Sequence, residues 1–88
     1  MKNAKITVVV KYMLRKVELE TLATVSTEEL TKLICKLLGE NEEIPLILLS
    51  HGKAIDDQTS LLDVIKGLES KEPVKSIVVH CSTQQLGG

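Results

Sequence analysis

The side chains able to do covalent or proton-transfer chemistry are few and far apart. There are two cysteines, Cys35 and Cys81, and two histidines, His51 and His80. Neither cysteine belongs to a CxxC pair or to a Cys/His group with metal-binding spacing. A nucleophilic thiolate needs a base and an electropositive setting. His80 adjoins Cys81 in sequence, but consecutive residues of a strand point to opposite faces, so the imidazole cannot serve that thiol. The pair reads as two reduced, mostly buried thiols of a cytosolic or nuclear protein. The carboxylates are spread over surface-type positions, and no Gly-rich phosphate loop is present, because Gly39 and Gly52 read as a helix cap and a turn. His51, just before Gly52, reads as an exposed turn residue. Neither an enzyme activity nor a cofactor follows from these parts. What remains is the last stretch, Ser82 to Gly88, polar except for Leu86 and closing on two residues without a Cβ, Gly87 and Gly88. It is expected to be a mobile arm.

The elements that would carry these residues are legible. Residues 4–12 (AKITVVVKY) are rich in β-branched side chains and predict a strand with Ile6, Val8 and Val10 on one face. A turn follows around Met13-Leu14-Arg15 without the Gly or Asn of a strong hairpin signal. Residues 16–22 alternate, with Val17 and Leu19 inward, and a bulge near Thr21-Leu22 could switch the faces. Ser26 followed by Glu29 has the spacing of a capping box. Leu30, Leu33, Ile34, Leu37 and Leu38 then form one apolar stripe, with Gly39 as the stop, so a helix is predicted over 27–38. Glu40 to Glu43 reads as a solvated acidic loop and Ile44-Pro45 as an extended entry. Leu46 to Ser50 is a third strand, His51-Gly52-Lys53 a tight turn, and Ala54-Ile55 a short fourth strand. Leu61 to Ile65 is a short helical turn and Val74 to Cys81 the last strand. A hairpin cannot bury its apolar face alone, so the helix must cover it and the last strand complete the sheet. The expected class is α+β, one main helix on one face of a mixed sheet of four to five strands.

Size and composition set the frame. With 88 residues the chain makes one domain, expected over 1–82 with a tail from 83 to 88. A chain of this size buries only about 60–65% of its unfolded surface, so the core must be well patterned. Apolar residues make up 43% against 26% charged, which is enough for a core, and with Tyr12 as the single aromatic that core must be aliphatic. A net charge of -1 with both signs interspersed argues against nucleic acid as a partner, since phosphate neutralisation needs a basic surface. The apolar run Ile6 to Val10 is short, interrupted by Thr7 and flanked by lysines, unlike a signal peptide. No stretch approaches the roughly 20 apolar residues of a membrane span. The expectation is a soluble monomer without direct membrane contact.

At this point the order of elements resembles ubiquitin over nearly the whole chain. The most specific stretch is LLSHGKAIDDQTSLLDV (48–64), similar to ubiquitin's strand, Gly-Lys turn, acidic pair and Thr-Leu-x-Asp turn. The resemblance implies a β-grasp fold and a function exercised by being bound. It places the family's recognition patch on Met13, Leu49, His80 and Ser82, where Ser82 departs from the family's valine. Lys53 and Lys11 match lysines that accept further ubiquitin units. The spacing from Cys81 to Gly88 equals that of the family's conjugating tail. There, an activating enzyme adenylates the terminal carboxylate and passes it to a cysteine, and residues without Cβ thread its narrow channel. The ending Gln84-Gln85-Leu86-Gly87-Gly88 looks like a SUMO tail, and Gln84 stands where ubiquitin has an arginine that its own activating enzyme reads. The implied partners are activating and conjugating enzymes and target proteins, with Gly87 and Gly88 as the conjugation site. The last strand, ending VVHC, is also similar to ubiquitin-like domains of endoplasmic-reticulum adaptor proteins, which are not conjugated and recruit partners in degradation. A sulfur carrier of the same fold is a third reading, disfavoured by the Gly-Lys turn.

Overall fold

The computed structural model describes residues 5–39, 46–68 and 74–83. Strand β1 (Lys5–Tyr12) turns back into β2 (Arg15–Leu22). Helix α1 (Thr27–Leu38) follows, then β3 (Leu46–Ser50), β4 (Lys53–Ile55), the short helix α2 (Leu61–Gly67) and β5 (Ser76–Thr83). Among the described residues the strands form one five-stranded sheet in the order β2-β1-β5-β3-β4. The first and last strands are parallel neighbours at its centre, from Thr7↔Ser76 to Tyr12↔Cys81. Parallel neighbours need a long crossover, and the chain from β2 to α2 supplies it.

The alternation along β1 dictates where the core lies. Ile6, Val8, Val10 and Tyr12 are buried under α1, while Lys5 and Lys11 face solvent on the other side. The partner residues of β5, Ile77, Val79 and Cys81, are buried with them. From above, Leu30, Ile34 and Leu38 of α1 close the layer, and Leu48, Ile55, Leu61 and Val64 complete it. Two long-range hydrogen bonds fasten the helix at its ends. Arg15 Nη1 donates to the Leu38 carbonyl over 2.9 Å, placing a cation on the negative end of α1. Thr27 Oγ1 donates to the Asp56 carbonyl, also 2.9 Å, tying the first turn to the loop after β4. That loop holds itself: Asp56 Oδ1 accepts from the backbone N–H groups of Gln58 and Thr59 at 2.9 Å each.

The helix bounds match the expected 27–38, with Gly39 as a left-handed cap at φ 73°. Other details differ. The stripe on α1 is narrower than predicted, because a helix meets a twisted sheet along a line. Leu30, Ile34 and Leu38 occupy that line with Cys35 beside them, whereas Leu33 and Leu37 remain 37% and 42% exposed on the flank. The hairpin turn is two residues, Met13-Leu14, and Arg15 already pairs with Tyr12. No bulge interrupts the ladder at Thr21-Leu22, which pair in regular register with Ile6 and Lys5. Lys53 belongs to β4 and closes the second hairpin against Ser50. The intervening His51 and Gly52 both have positive φ, 52° and 79°, as a type I′ turn requires. At α1 the Ser26 hydroxyl accepts from the Glu29 N–H at 3.2 Å, but the complete reciprocal pair occurs at α2, between Ser60 and Asp63. Strand β5 starts and ends two residues later than the expected 74–81, although Val74 still packs against the core. The acidic stretch 40–43, Ile44-Pro45, 69–73 and the tail 84–88 lie outside the described residues.

Candidate functional site

Everything buried on the helix side leaves its sequence neighbours on the outer face of the sheet. In β3, Leu48 is 2% exposed and Ser50 0%, so Leu49 between them points outward and is 44% exposed. Its position is locked by Ser50, whose hydroxyl donates to the Val78 carbonyl of β5 over 2.7 Å. Directly opposite Leu49 in the ladder stands His80, exposed, while the adjacent Cys81 is buried. Two residues along, Ile47 faces Ser82. Met13 sits in the β1–β2 turn, 84% exposed and with φ 55°. Leu49, His80 and Ser82 are thus brought together on one face, and Met13 stands at the hairpin tip, one residue beyond Tyr12, which itself pairs with Cys81.

Two apolar residues of this surface were missed from sequence. Ile47 is two positions before Leu49, and the alternation that exposes one exposes the other. Because Ile47 pairs with Ser82, an apolar side chain lies across the ladder from the position where the resemblance expected one. Leu14 shares the hairpin tip with Met13 and is fully exposed. Once the turn is known to be two residues long, neither has anywhere to pack.

The two lysines differ in setting. Lys11 lies on the outer face between Lys16 of β2 and His80 of β5. Lys53 points instead toward the end of α2, where a Cβ added to Gly67 would stand 2.9 Å from its Nζ. Gly87 and Gly88 fall outside the described residues.

The thiols offer little nucleophilicity. Burial, reinforced by the nearby Cys35, pushes the Cys81 thiol up to about 12, so it stays protonated at neutral pH. Among the described residues no group of three or more His, Cys, Asp or Glu could hold a metal ion. A shallow cleft lies where α1, α2 and the Asp56 loop meet, but most of its polar side chains already have structural work. Ser26 and Ser60 cap helices, Asp63 accepts from the Ser60 N–H at 3.0 Å, and Glu28 pairs with Lys32 at 3.3 Å. The two bonds from Ser60, backbone first, hold the Asp63 carboxyl below its ordinary range. Among the described residues no helix is long and apolar enough to cross a membrane.

No protein-family model and no curated protein sequence matches the chain. Solved structures do. The N-terminal ubiquitin-like domain in the 4931431F19Rik protein superposes with a TM-score of 0.70 at 24% identity, over 99% of this chain and 82% of that one. Ubiquitin from Caldiarchaeum subterraneum gives 0.68 at 15% identity, over 97% of this chain and 100% of its own. The ubiquitin-like domain of an Arabidopsis thaliana protein gives 0.71 at 17% identity, over 93% of this chain and 80% of that one. At such identities the likeness speaks for architecture, and with the sheet order and helix placement above it leads to one conclusion: the chain has the ubiquitin-like β-grasp fold.

Proposed function

We propose that this is a ubiquitin-like protein modifier, recognised through the outer face of its sheet and conjugated through Gly87-Gly88. The observation that carries recognition is the ladder contact of Leu49 with His80, exposed side by side while Leu48 and Cys81 are buried beneath them. Leu49 and Ile47 expose neighbouring apolar side chains on this face, and contiguous apolar surface is what marks a contact site. Ile47, Leu49 and Met13 supply the apolar contact, with His80 and Ser82 as its polar border. Support for conjugation comes from the tail. Strand β5 ends at Thr83, and the remaining residues close on the Gly-Gly that an activating enzyme's channel demands. The protein contributes only the carboxylate, the catalytic groups being those of its partner enzymes, and Lys11 and Lys53 are the lysines at which further units would attach.

A second reading is a ubiquitin-like interaction domain that is not conjugated. It is favoured by the fact that two of the structural neighbours are ubiquitin-like domains, one of them described as N-terminal. One experiment separates the two. Tagged protein with ATP in a lysate of the source organism should form a thiol-sensitive adduct, then thiol-resistant conjugates. Removing Gly87-Gly88 should abolish both, and Gly87→Ala should block them by adding a Cβ where the channel is narrowest. Absence of any adduct, with partner binding unchanged by the deletion, would refute the modifier and leave the interaction domain.

A further inference from the structure

Among the described residues β2 and β4 form the two edges of the sheet, and they are unequal. β4 is three residues long, too short to template another chain. β2 runs through eight residues in regular register with β1, without proline or bulge, and an edge of that length presents a row of backbone donors and acceptors. The two-residue turn before it closes by a hydrogen bond between Tyr12 and Arg15. Bonding then alternates along the ladder, so Arg15, Val17 and Leu19 bond to β1 while Lys16, Glu18 and Glu20 aim their N–H and C=O groups away from it. The side chains of Lys16, Glu18 and Glu20 are exposed on the outer face, and Val17 and Leu19 are half-buried on the helix side. Above them runs the exposed flank of α1. Around the helix Leu33 and Leu37 lie on one side of the buried line Leu30-Ile34-Leu38, and Cys35 lies on the other. Cys35 is near Cys81 of the central strand β5, so the leucine flank turns toward β2, the strand that α1 runs nearest. The bond from Arg15 of β2 to the Leu38 carbonyl is on that side.

We propose that this edge pairs with a second copy of the chain, β2 against β2, antiparallel about a two-fold axis through Val17. The two sheets then continue into each other through identical surfaces, as two-fold closure requires. What points to a second copy is the order of charges. Reversed on itself about Val17, the strand sets Lys16 of each copy directly opposite Glu18 of the other, and nowhere do like charges face each other. Each Lys16–Glu18 pair also exchanges both backbone hydrogen bonds, since these residues have the outward-facing groups. Lys16 gains from such a partner. Within its own copy it stands opposite Lys11, both exposed, and among the described residues neither belongs to an ion pair. Moving the axis to Glu18 would set that carboxylate against its own copy, and moving it to Leu19 would set Glu18 against Glu20. On the helix side the two Val17 side chains meet at the axis, and Leu33 and Leu37 of each copy approach over them, removing apolar surface from water. The monomer expected from composition is then the dilute form. The outer face around Leu49 stays uncovered in the dimer, because β3 is remote from the β2 edge.

The test is sedimentation equilibrium of the full chain from micromolar to millimolar concentration, paired with amide hydrogen exchange read by NMR. The weight-average mass should rise toward twice that of the chain. As it does, exchange should slow at the amides of Lys16 and Glu18, which are open to water in the monomer. Glu18→Lys and Lys16→Glu should each weaken association by about tenfold or more, since each sets like charges opposite one another. The double variant Lys16→Glu/Glu18→Lys should restore it, because both pairs are reversed in sign. Leu33→Gln/Leu37→Gln should weaken it with the fold unchanged by circular dichroism, and Leu49→Ala should leave it as it was. A chain that stays monomeric at millimolar concentration overturns the inference. So does association that a single charge variant or the leucine variant leaves intact, or that the double charge variant fails to recover. A dimer abolished by Leu49→Ala would place the contact on the outer face and overturn it as well.

Discussion

The buried hydroxyl of Ser50 donates to the backbone carbonyl of Val78 across 2.7 Å, at the place where β3 leaves β5 for its hairpin. This bond holds the register that buries Leu48 and presents Leu49. A slip of one residue would exchange them, putting an apolar side chain in water and another under the helix. Ser50→Ala should cost about 1–3 kcal/mol in urea unfolding, because it strips a partly buried acceptor of its donor. An unchanged midpoint would mean that the hydroxyl does not hold the register.

Neighbouring leucines should respond in opposite ways. Leu48→Ala, at a fully packed position, should cost about 2–5 kcal/mol, and so should Leu30→Ala or Ile34→Ala on the helix line. Leu49→Ala should change stability by under about 0.5 kcal/mol while weakening partner binding. Denaturant titration with a binding assay on the same samples checks both halves. A large destabilisation by Leu49→Ala would make it a core residue.

Backbone strain at the two hairpin turns can be relieved. Met13 and His51 hold φ of 55° and 52°, a region that costs a side-chain-bearing residue about 1–2 kcal/mol and that Asn tolerates better. His51→Asn would create the Asn-Gly pair that type I′ turns favour and should raise the melting temperature. Met13→Asn should also stabilise, yet weaken partner binding by removing an apolar side chain from the face. Stabilisation with full binding would exclude Met13 from the contact.

The pH dependence has two identifiable limbs. The folded Asp63 carboxyl titrates below its unfolded value of 3.8 because Ser60 donates to its charged form. Its contribution is therefore fully present above that value and lost as pH falls through the lowered folded value. Asp63→Asn should flatten the acid side of a melting-temperature profile. The Cys81 thiol is shifted the other way, from 9.0 to about 12, so its contribution is present below 9.0 and lost as pH rises toward 12. Cys81→Val should flatten the alkaline side.

The thiols should be inert while the protein is folded. Iodoacetamide at neutral pH should leave Cys81 unmodified in the native protein, as read by intact mass, and label it rapidly in urea. Native labelling at the unfolded rate would place the thiol at the surface.

Much of this architecture was legible because local chemistry and global packing agree. Ser26, the leucines after it and Gly39 encode the start, inward line and stop of α1 within one short stretch. Ile6, Val8 and Val10 announced their shared face through the alternation along β1. The errors were made where local sequence is neutral. Leu33 and Leu37 share the helical period of the core but lie off the contact line, which only the position of the sheet defines. Ile47 shares Leu49's parity, yet a single strand does not say which parity faces the helix until Ser50 is known to be buried.

By itself, the sequence determined the elements, their order, the aliphatic core and the closing Gly87-Gly88, because propensity, caps and periodicity act over a few residues. Tertiary structure alone decided which residues of different strands meet. That Lys11 faces Lys16 follows from a hairpin turn of two residues rather than three, and that Leu49 borders His80 follows from the β3–β5 register. The second pairing joins positions far apart in the chain, and it is set by the alignment that buries Leu48 and Cys81 under α1 at once.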